Sequence, residues 1–300
     1  MLNNPFAKPG QFYRGNLHGH STNSDGKFAV ADVVEKYRSH GYDFIAVSDH
    51  FMEVYDYPVT DSRTHRVEDF TTLLAAELHL SQMENSEIWH VLAVGIPVDF
   101  APPEEHEDIV DLAARAADAG AFIGMVHPTW NGMTPADASR LPFAHAVEVY
   151  NHGSEVKVAR GDGWGLCDQL LNQGRRVSAF AVDDSHTFVH DFNGGWVHVK
   201  AQSLNPEELL ESLKSGWFYS SQGPLIHDIA VNEGEICIAC SPVSNIIVSG
   251  RGSKGENIDG VGMTSARFPT HRFSDAYARV TVTDTHGRHA WSNPIWFVPA

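Results

Sequence analysis

The sequence predicts an α/β fold: about seven strand–helix units closing in barrel-like form, followed by a small antiparallel β domain. Three observations carry this. From residue 12 to about 220, short apolar runs of strand type alternate with amphipathic helical patterns. In six of seven strand candidates, His, Asp or Glu sits at or just past the C-terminal end, the face at which barrel enzymes build their sites from all strands. An open sheet would gather such residues at one switch point. Beyond residue 222 the helical windows stop and short alternating strands follow.

The strand candidates are FYRGNLHGH (12–20), YDFIAVSDH (42–50), TLLAAELHL (72–80), WHVLAVGI (89–96), AFIGMVHP (121–128), AVEVYNHG (146–153) and VSAFAVDDSH (177–186). Their nearly continuous apolar character suits strands buried on both faces. His90 breaks the pattern, since it stands near the start of its run. VADVVEKYRSHG (30–41) and EDIVDLAARAADAG (107–120) are amphipathic and end on Gly. NPEELLESLKSG (205–216) has Asn205 as N-cap, Pro206 at the first helical position, Glu208 as capping-box partner, Lys214 in the last turn and Gly216 as the stop. The strands after 222 include IHDIAVN, EICIAC, NIIVSG, YARVTVTD and AWSNPIWFV, and RGSKGENIDGVG (251–262) reads as a mobile loop. The expected division is residues 1–222 as the barrel and 223–300 as a β-sandwich-like domain.

Composition excludes some partners. The 300 residues carry 21 basic and 38 acidic side chains, a net charge of −17. Polyanions such as nucleic acid or an anionic membrane surface are bound through Lys and Arg, so neither is expected as a partner. No apolar run reaches the ~18 residues of a membrane-spanning helix, and the N-terminal segment, broken by Pro5 and Pro9, has no signal-peptide core. Three cysteines make no disulfide framework. A cytoplasmic location is the expectation, and homo-oligomerisation is left open.

The 18 histidines direct attention to metals. His18-Gly19-His20 places two imidazoles on one side of a strand, and Asp25 follows on a loop able to fold back over them. Alone, the pair is equally compatible with solvated loop histidines. Asp49-His50, Glu77, His90, His127 before Pro128, and Asp184-Ser185-His186 extend the series. Each has a structural alternative: Glu77 a paired carboxylate, His90 a core histidine, Asp184 a turn former. Burying them all at strand ends without compensation would cost several kcal/mol per unpaired charge. Divalent cations are the economical compensation.

The ordered series HGHSTNSDG, VSDH, AAEL, WHVLAVG, MVHP and DDSH, spanning about residues 13–220, resembles the PHP (polymerase and histidinol phosphatase) superfamily of metal-dependent phosphoesterases. The resemblance implies a distorted (β/α)7 barrel, a two- or three-metal centre of Mn, Fe or Zn, and the ligands His18, His20, Asp25, His50, Glu77, His90, His127, Asp184 and His186. Asp25 stands where some members carry His, which leans the metal toward manganese or iron. The tail passages GWFYSSQGPLIHDI and ARVTVTDTHGRHAWSNPIWF resemble the branch containing carbaryl hydrolase-like proteins. The expected function is hydrolysis of a small phosphate monoester or diester by a metal-bridging hydroxide, with Asp25, His50, His186 and His152 as catalytic candidates. The alternative is a carboxylic or carbamate ester on the same centre.

Weaker candidates surround these. Asp49 and Asp183 could orient imidazoles or shape turns. Asn151 and His152 could touch substrate, Trp130 could line the pocket, and Lys27, Arg160 and Arg175 could clamp a phosphate. Cys237-Ile238-Ala239-Cys240 reads as strand packing, since residues i and i+3 face opposite sides. His79 and nine other histidines show no comparable spacing, and most of these ten read as surface or turn residues. An amidohydrolase barrel would require a bridging Lys that is not evident, a polymerase-type exonuclease would require a basic stripe, and structural metals in a non-catalytic protein are the remaining class.

Overall fold

The computed structural model describes residues 4–232 and 234–298; the ends of the expected domain ranges, 1–3 and 299–300, and residue 233 lie outside the described residues. The chain is mixed α/β. Its first part contains β1 (Gln11–Asn16), α1 (Val30–Ser39), β2 (Phe44–Val47), β3 (His50–Phe51), β4 (Thr71–Gln82), β5 (Ile88–Val94), α2 (Ile109–Asp118) and β6 (Phe122–Met125). It continues with α3 (Pro128–Asn131), α4 (Pro135–Ser139), β7 (Ala146–Asn151), α5 (His152–Val158), α6 (Trp164–Asn172) and β8 (Ser178–Val182). Then come β9 (Trp196–Ala201), α7 (Pro206–Lys214) and β10 (Phe218–Ser221).

Strands run side by side in the order β9-β1-β2-β4-β5-β6-β7-β8, with β3 beside β4. Beyond the outer strands of the β1-to-β8 run, Gly19 and Ser185 form a parallel bridge. There Asp184 N–H donates to the His18 carbonyl at 3.0 Å, and His20 N–H to the Ser185 carbonyl at 3.0 Å.

The run is not uniformly parallel. β5 lies antiparallel to both β4 and β6. Only residues 83–87 separate β4 from β5, too few for a parallel crossover, which needs about a dozen residues or more. This explains His90: in a reversed strand the start of the run lies at the end where its neighbours finish.

Alternation divides the core. Phe44 and Ala46, Leu73 and Ala75, Leu92 and Val94, and Phe180 and Val182 pack with Leu209 and Leu213 of α7. The intervening residues Ala76, Leu78, Val91, Ala93, Ile123 and Met125 pack with α2 and α6 instead. Successive side chains on a strand point to opposite faces, so buried strands serve both clusters. In α7 the Asn205 side chain accepts from Glu207 N–H at 2.9 Å and Glu208 N–H at 3.3 Å. Glu208 does not close a capping box; its carboxylate accepts from Ser203 N–H at 3.0 Å.

After residue 222 come β11 (Ile226–Asn232), β12 (Glu235–Gly250), β13 (Gly255–Pro269), β14 (Tyr277–Thr283), β15 (His289–Ser292) and β16 (Ile295–Trp296). Their pairings are antiparallel. They are hydrogen-bonded onto the first part, because β15 pairs with β10 and β10 with β9. The expected loop at 251–262 is a strand over most of its length: Gly255, Ile258 and Asp259 pair with Ser249, Ile246 and Asn245. Its side chains are largely exposed, so the apolar alternation that signals a half-buried strand is missing from the sequence.

Candidate metal centre

Strand registers assemble the site. The parallel β3–β4 register sets His50 beside Glu77, and the antiparallel β4–β5 register sets His79 opposite His90. His18 and His20 extend from the end of β1, and both are fully buried. His127 follows β6 and Asp184 follows β8, with left-handed φ values of 30° and 51°. Non-glycine residues hold such angles only where their surroundings compel it. Here each angle turns a side chain from the strand end back toward the cluster.

Asp25 is brought over the cluster by a loop that needs glycine. A Cβ on Gly26 would lie 2.6 Å from the backbone of His20. The same loop is pinned by Asp49, whose carboxylate accepts from Ser21 N–H, Ser21 Oγ and Ser24 Oγ, each at 2.7 Å, and from Thr60 Oγ1.

All nine side chains expected as ligands converge. Glu77 is central: Oε1 lies 2.7 Å from His90 Nδ1 and 3.0 Å from His127 Nε2, while Oε2 lies 2.7 Å from His50 Nδ1 and 3.5 Å from His18 Nε2. Asp184 Oδ1 is 3.0 Å from His20 Nε2 and 3.5 Å from His18 Nε2. Asp25 Oδ1 is 3.4 Å from both His50 Nε2 and His186 Nε2. Ligand atoms of His20, Asp25, His50 and His186 fall within 4.8 Å of one another, as do those of His18, His127 and Asp184, and those of Glu77, His90 and His127.

The electrostatics reflect crowding. Burial works to raise the Glu77 pKa, yet His90, His50 and His18 hold it well below the usual carboxylate range. Asp184 is likewise held well down, against burial, by His18 and His20. Burial opposes the charge on His50, but Glu77 and Asp25 raise it to about 10. Burial, the largest influence, takes His20 and His90 down to about 4.

Divalent cations suit this arrangement. His18 Nε2, His20 Nδ1 and His127 Nδ1 are buried without a hydrogen-bond partner. Buried polar atoms are normally satisfied, so orphaned imidazole nitrogens grouped around carboxylates mark lone pairs held for cations. Nitrogen and oxygen donors without sulfur fit Zn, Mn or Fe. Above the cluster opens a cavity of about 450 Å³, whose wall also includes Lys27, Trp130, Ser154 and Lys157.

Other expected residues fall differently. His152 is not brought to the cavity wall; its Nδ1 is 3.0 Å from Tyr150 Oη. Asn151 Nδ2 donates to Glu148 Oε1 at 2.7 Å and Asp184 Oδ2 at 3.0 Å. Asp183 shapes a turn, accepting from the N–H groups of Asn193, Gly194 and Gly195 at 2.8–3.0 Å. Trp130 lines the cavity, with its ring 5.0 Å from that of His127 and 5.4 Å from that of His90. Arg175 donates to the carbonyls of Ala138 and Leu141, away from the site, and Arg160 Nη1 is 3.4 Å from the Trp130 carbonyl. Cys240 packs in the core of the C-terminal strands.

Three residues escaped the sequence reading. His79, grouped with histidines that show no ligand spacing, is buried, with Nε2 2.7 Å from His50 Nδ1 and 3.4 Å from Glu77 Oε2. Glu77-Leu78-His79 has the i, i+2 spacing that drew attention to His18 and His20, so a signal existed. Glu148 is fully buried, 3.0 Å from His18 Nδ1, and accepts from His127 N–H at 2.8 Å. A lone Glu within the apolar run AVEVY was its signal. Lys157 had none, because its place in the wall depends on how α5 sits.

No protein-family model matches the chain. Among solved structures, a two-domain protein from Bacteroides vulgatus ATCC 8482, containing a predicted PHP-like metal-dependent phosphoesterase, superposes with a TM-score of 0.54 at 15% identity, over 93% of this chain and 94% of that one. A candidate metal-dependent phosphoesterase from Bifidobacterium adolescentis ATCC 15703 gives a TM-score of 0.45 at 13% identity, over 66% of this chain and 94% of that one. In sequence, the DNA polymerase/3'-5' exonuclease PolX of Bacillus subtilis (strain 168) is 24% identical over 173 residues. That match takes in 55% of this chain and only 28% of the polymerase. The chain therefore shares the fold of a PHP-like two-domain protein.

Proposed function

We propose that this chain is a metal-dependent hydrolase of the PHP type, cleaving a small phosphate monoester or diester at a centre of two or three divalent cations, Mn, Fe or Zn. The observation that carries the reading is the convergence of nine His, Asp and Glu side chains from separate strand ends around Glu77. We further read the β1-to-β8 run as a distorted (β/α)7 barrel and residues 223–300 as a β-sandwich-like appendage, acting in the cytoplasm on a small anionic or ester substrate rather than on nucleic acid or a membrane. A homo-oligomer is compatible with this reading.

His18, His20, Asp25, His50, Glu77, His90, His127, Asp184 and His186 would hold the cations. When bound, these supply Lewis acidity and a water acidic enough to attack near neutral pH. The chain's part is positioning. Glu148 engages His18 Nδ1 and leaves Nε2 facing Glu77 and Asp184. The Asp184 carbonyl engages His186 Nδ1 at 3.0 Å and leaves Nε2 facing Asp25. Asp25, His50 and His186 border the cavity and meet the substrate there. In hydrolysis the water oxygen ends on phosphorus, and its proton leaves with the alcohol.

The second reading, a carboxylic or carbamate ester, draws support from the cavity's sparse positive charge: Lys157 is paired with buried Asp191 at 3.2 Å. Both readings are tested by stripping the protein of metal and reloading it with Mn, Fe or Zn before assay. Hydrolysis of p-nitrophenyl phosphate or bis-p-nitrophenyl phosphate is expected with at least one metal. Silence on both, with turnover of an aryl carbamate or carboxylic ester, would transfer the assignment; silence on all would end the hydrolase reading.

A further inference from the structure

Imidazoles of this centre are oriented through the nitrogen turned away from the cluster. Glu148 engages His18 Nδ1, and the Asp184 carbonyl engages His186 Nδ1. A neutral imidazole that keeps one lone pair for a cation carries its proton on the other nitrogen. His50 Nε2 faces Asp25 Oδ1 at 3.4 Å, on the side where His20 and His186 gather with it. The proton of His50 therefore belongs on Nδ1, and that nitrogen has two neighbours at 2.7 Å, Glu77 Oε2 and His79 Nε2.

Glu77 is among the side chains assigned to the cations, and an oxygen committed there competes weakly for this proton. His79 has no such commitment. Ligand atoms of His50, Glu77 and His79 do lie close enough to share a cation, but the 2.7 Å between the two imidazole nitrogens is too short for both to bind it. Two nitrogens held tetrahedrally by one ion at ~2.0–2.1 Å stand roughly 3.3 Å apart. A separation of 2.7 Å is that of a hydrogen bond, with one ring donating and the other accepting.

The fold holds His79 in that place. It is 6% exposed and pairs with His90 across the β4–β5 ladder. Its ring meets those of His50 and His90 edge-on, at 4.7 and 4.1 Å. His79 does not line the cavity above the cluster; it borders a separate hollow of about 300 Å³ with Met52, Glu53 and Tyr57. Its influence on a substrate in the cavity must pass through its neighbours. A carboxylate is a common partner for a ligand imidazole, but a further anion beside buried Glu77 would meet like charge. A neutral ring orients His50 without adding one.

We propose that His79 is a positioning residue of the metal centre: its Nε2 accepts the Nδ1 proton of His50, which fixes the tautomer of that ring and directs its Nε2 to a cation. This deepens the metal-centre reading above and rests on it.

The test reads the hydrogen bond itself. In the zinc-loaded full chain carrying isotope-labelled histidine, NMR should show a proton on His50 Nδ1 and none on Nε2. A scalar coupling across the hydrogen bond should link His50 Nδ1 to His79 Nε2. Zinc affinity in a chelator-competition titration should fall roughly 10–100-fold in His79→Phe, which keeps a ring and removes the acceptor. His79→Gln, whose amide oxygen can accept the proton, should recover most of that loss.

An unprotonated His50 Nδ1 overturns the inference, and so does a proton there with no coupling to His79, which would make Glu77 the acceptor. Unchanged affinity in His79→Phe, or an equal loss in both variants, reduces His79 to a packing residue and overturns it too. The coupling is measured in the unaltered chain, so a His79→Phe protein that fails to fold does not shelter the inference. Coupling and affinity loss in a protein that hydrolyses none of the esters support the inference and remove the hydrolase reading. Hydrolysis without the coupling does the reverse, and a chain that takes up neither zinc nor manganese overturns both.

Discussion

At the scale of single residues, the side chains around the candidate ligands matter as much as the ligands. Glu148 contacts three partners at once, the His18 ring, the His127 backbone and Asn151. Such outer carboxylates orient imidazoles and raise their basicity. Glu148→Gln keeps the volume but supplies one acceptor oxygen where there were two. We expect the variant to remain folded by circular dichroism and to bind Mn or Zn ~10–100-fold more weakly in a chelator-competition titration. Unchanged affinity would show that Glu148 is only a packing residue. His79 illustrates the same scale differently. It is a buried imidazole against His50, and recognising it required applying the two-residue strand spacing to a carboxylate and a histidine rather than to two histidines.

At the scale of elements, geometry depends on segments that carry no ligand of their own function. The loop bearing Asp25 is held by three hydrogen bonds, from Ser21 N–H, Ser21 Oγ and Ser24 Oγ, to the buried Asp49 carboxylate, which also accepts from Thr60 Oγ1. Sequence reasoning left Asp49 between orienting an imidazole and forming a turn, and its partners place it with the loop. Asp49→Ala would strand Ser21 N–H and three hydroxyl groups, at a cost of about 3 kcal/mol, since buried donors lose their partners. Urea denaturation measures this directly, and a loss below ~1 kcal/mol would mean that water replaces the carboxylate. The β4–β5 hairpin makes the complementary point. Its brevity reverses β5, and that reversal brings His90 to the face where β4 presents Glu77.

At the scale of the whole molecule, the centre concentrates ionisable groups that protein contacts satisfy incompletely. Anything that binds the folded state alone stabilises it by mass action, about 4 kcal/mol at a thousandfold excess over Kd. For a chain of this size we expect saturating Mn or Zn to raise Tm on the order of 5–10 °C over the chelated protein, a shift that scanning calorimetry would register. An unchanged Tm would count against cations at this site.

The sequence by itself determined the chemistry of the cluster and the alternation of strands and helices. Ligand residues stand at strand ends in chain order, and periodicity is a local property that needs no knowledge of neighbours. It could not decide direction or register. Whether β5 runs with or against β4, which imidazole meets which Glu77 oxygen, that β10 joins the C-terminal strands into one sheet, and that Lys27 lines the cavity all depend on residues far apart in the chain. Those choices are made by packing and hydrogen bonding between segments, and only the tertiary structure records them.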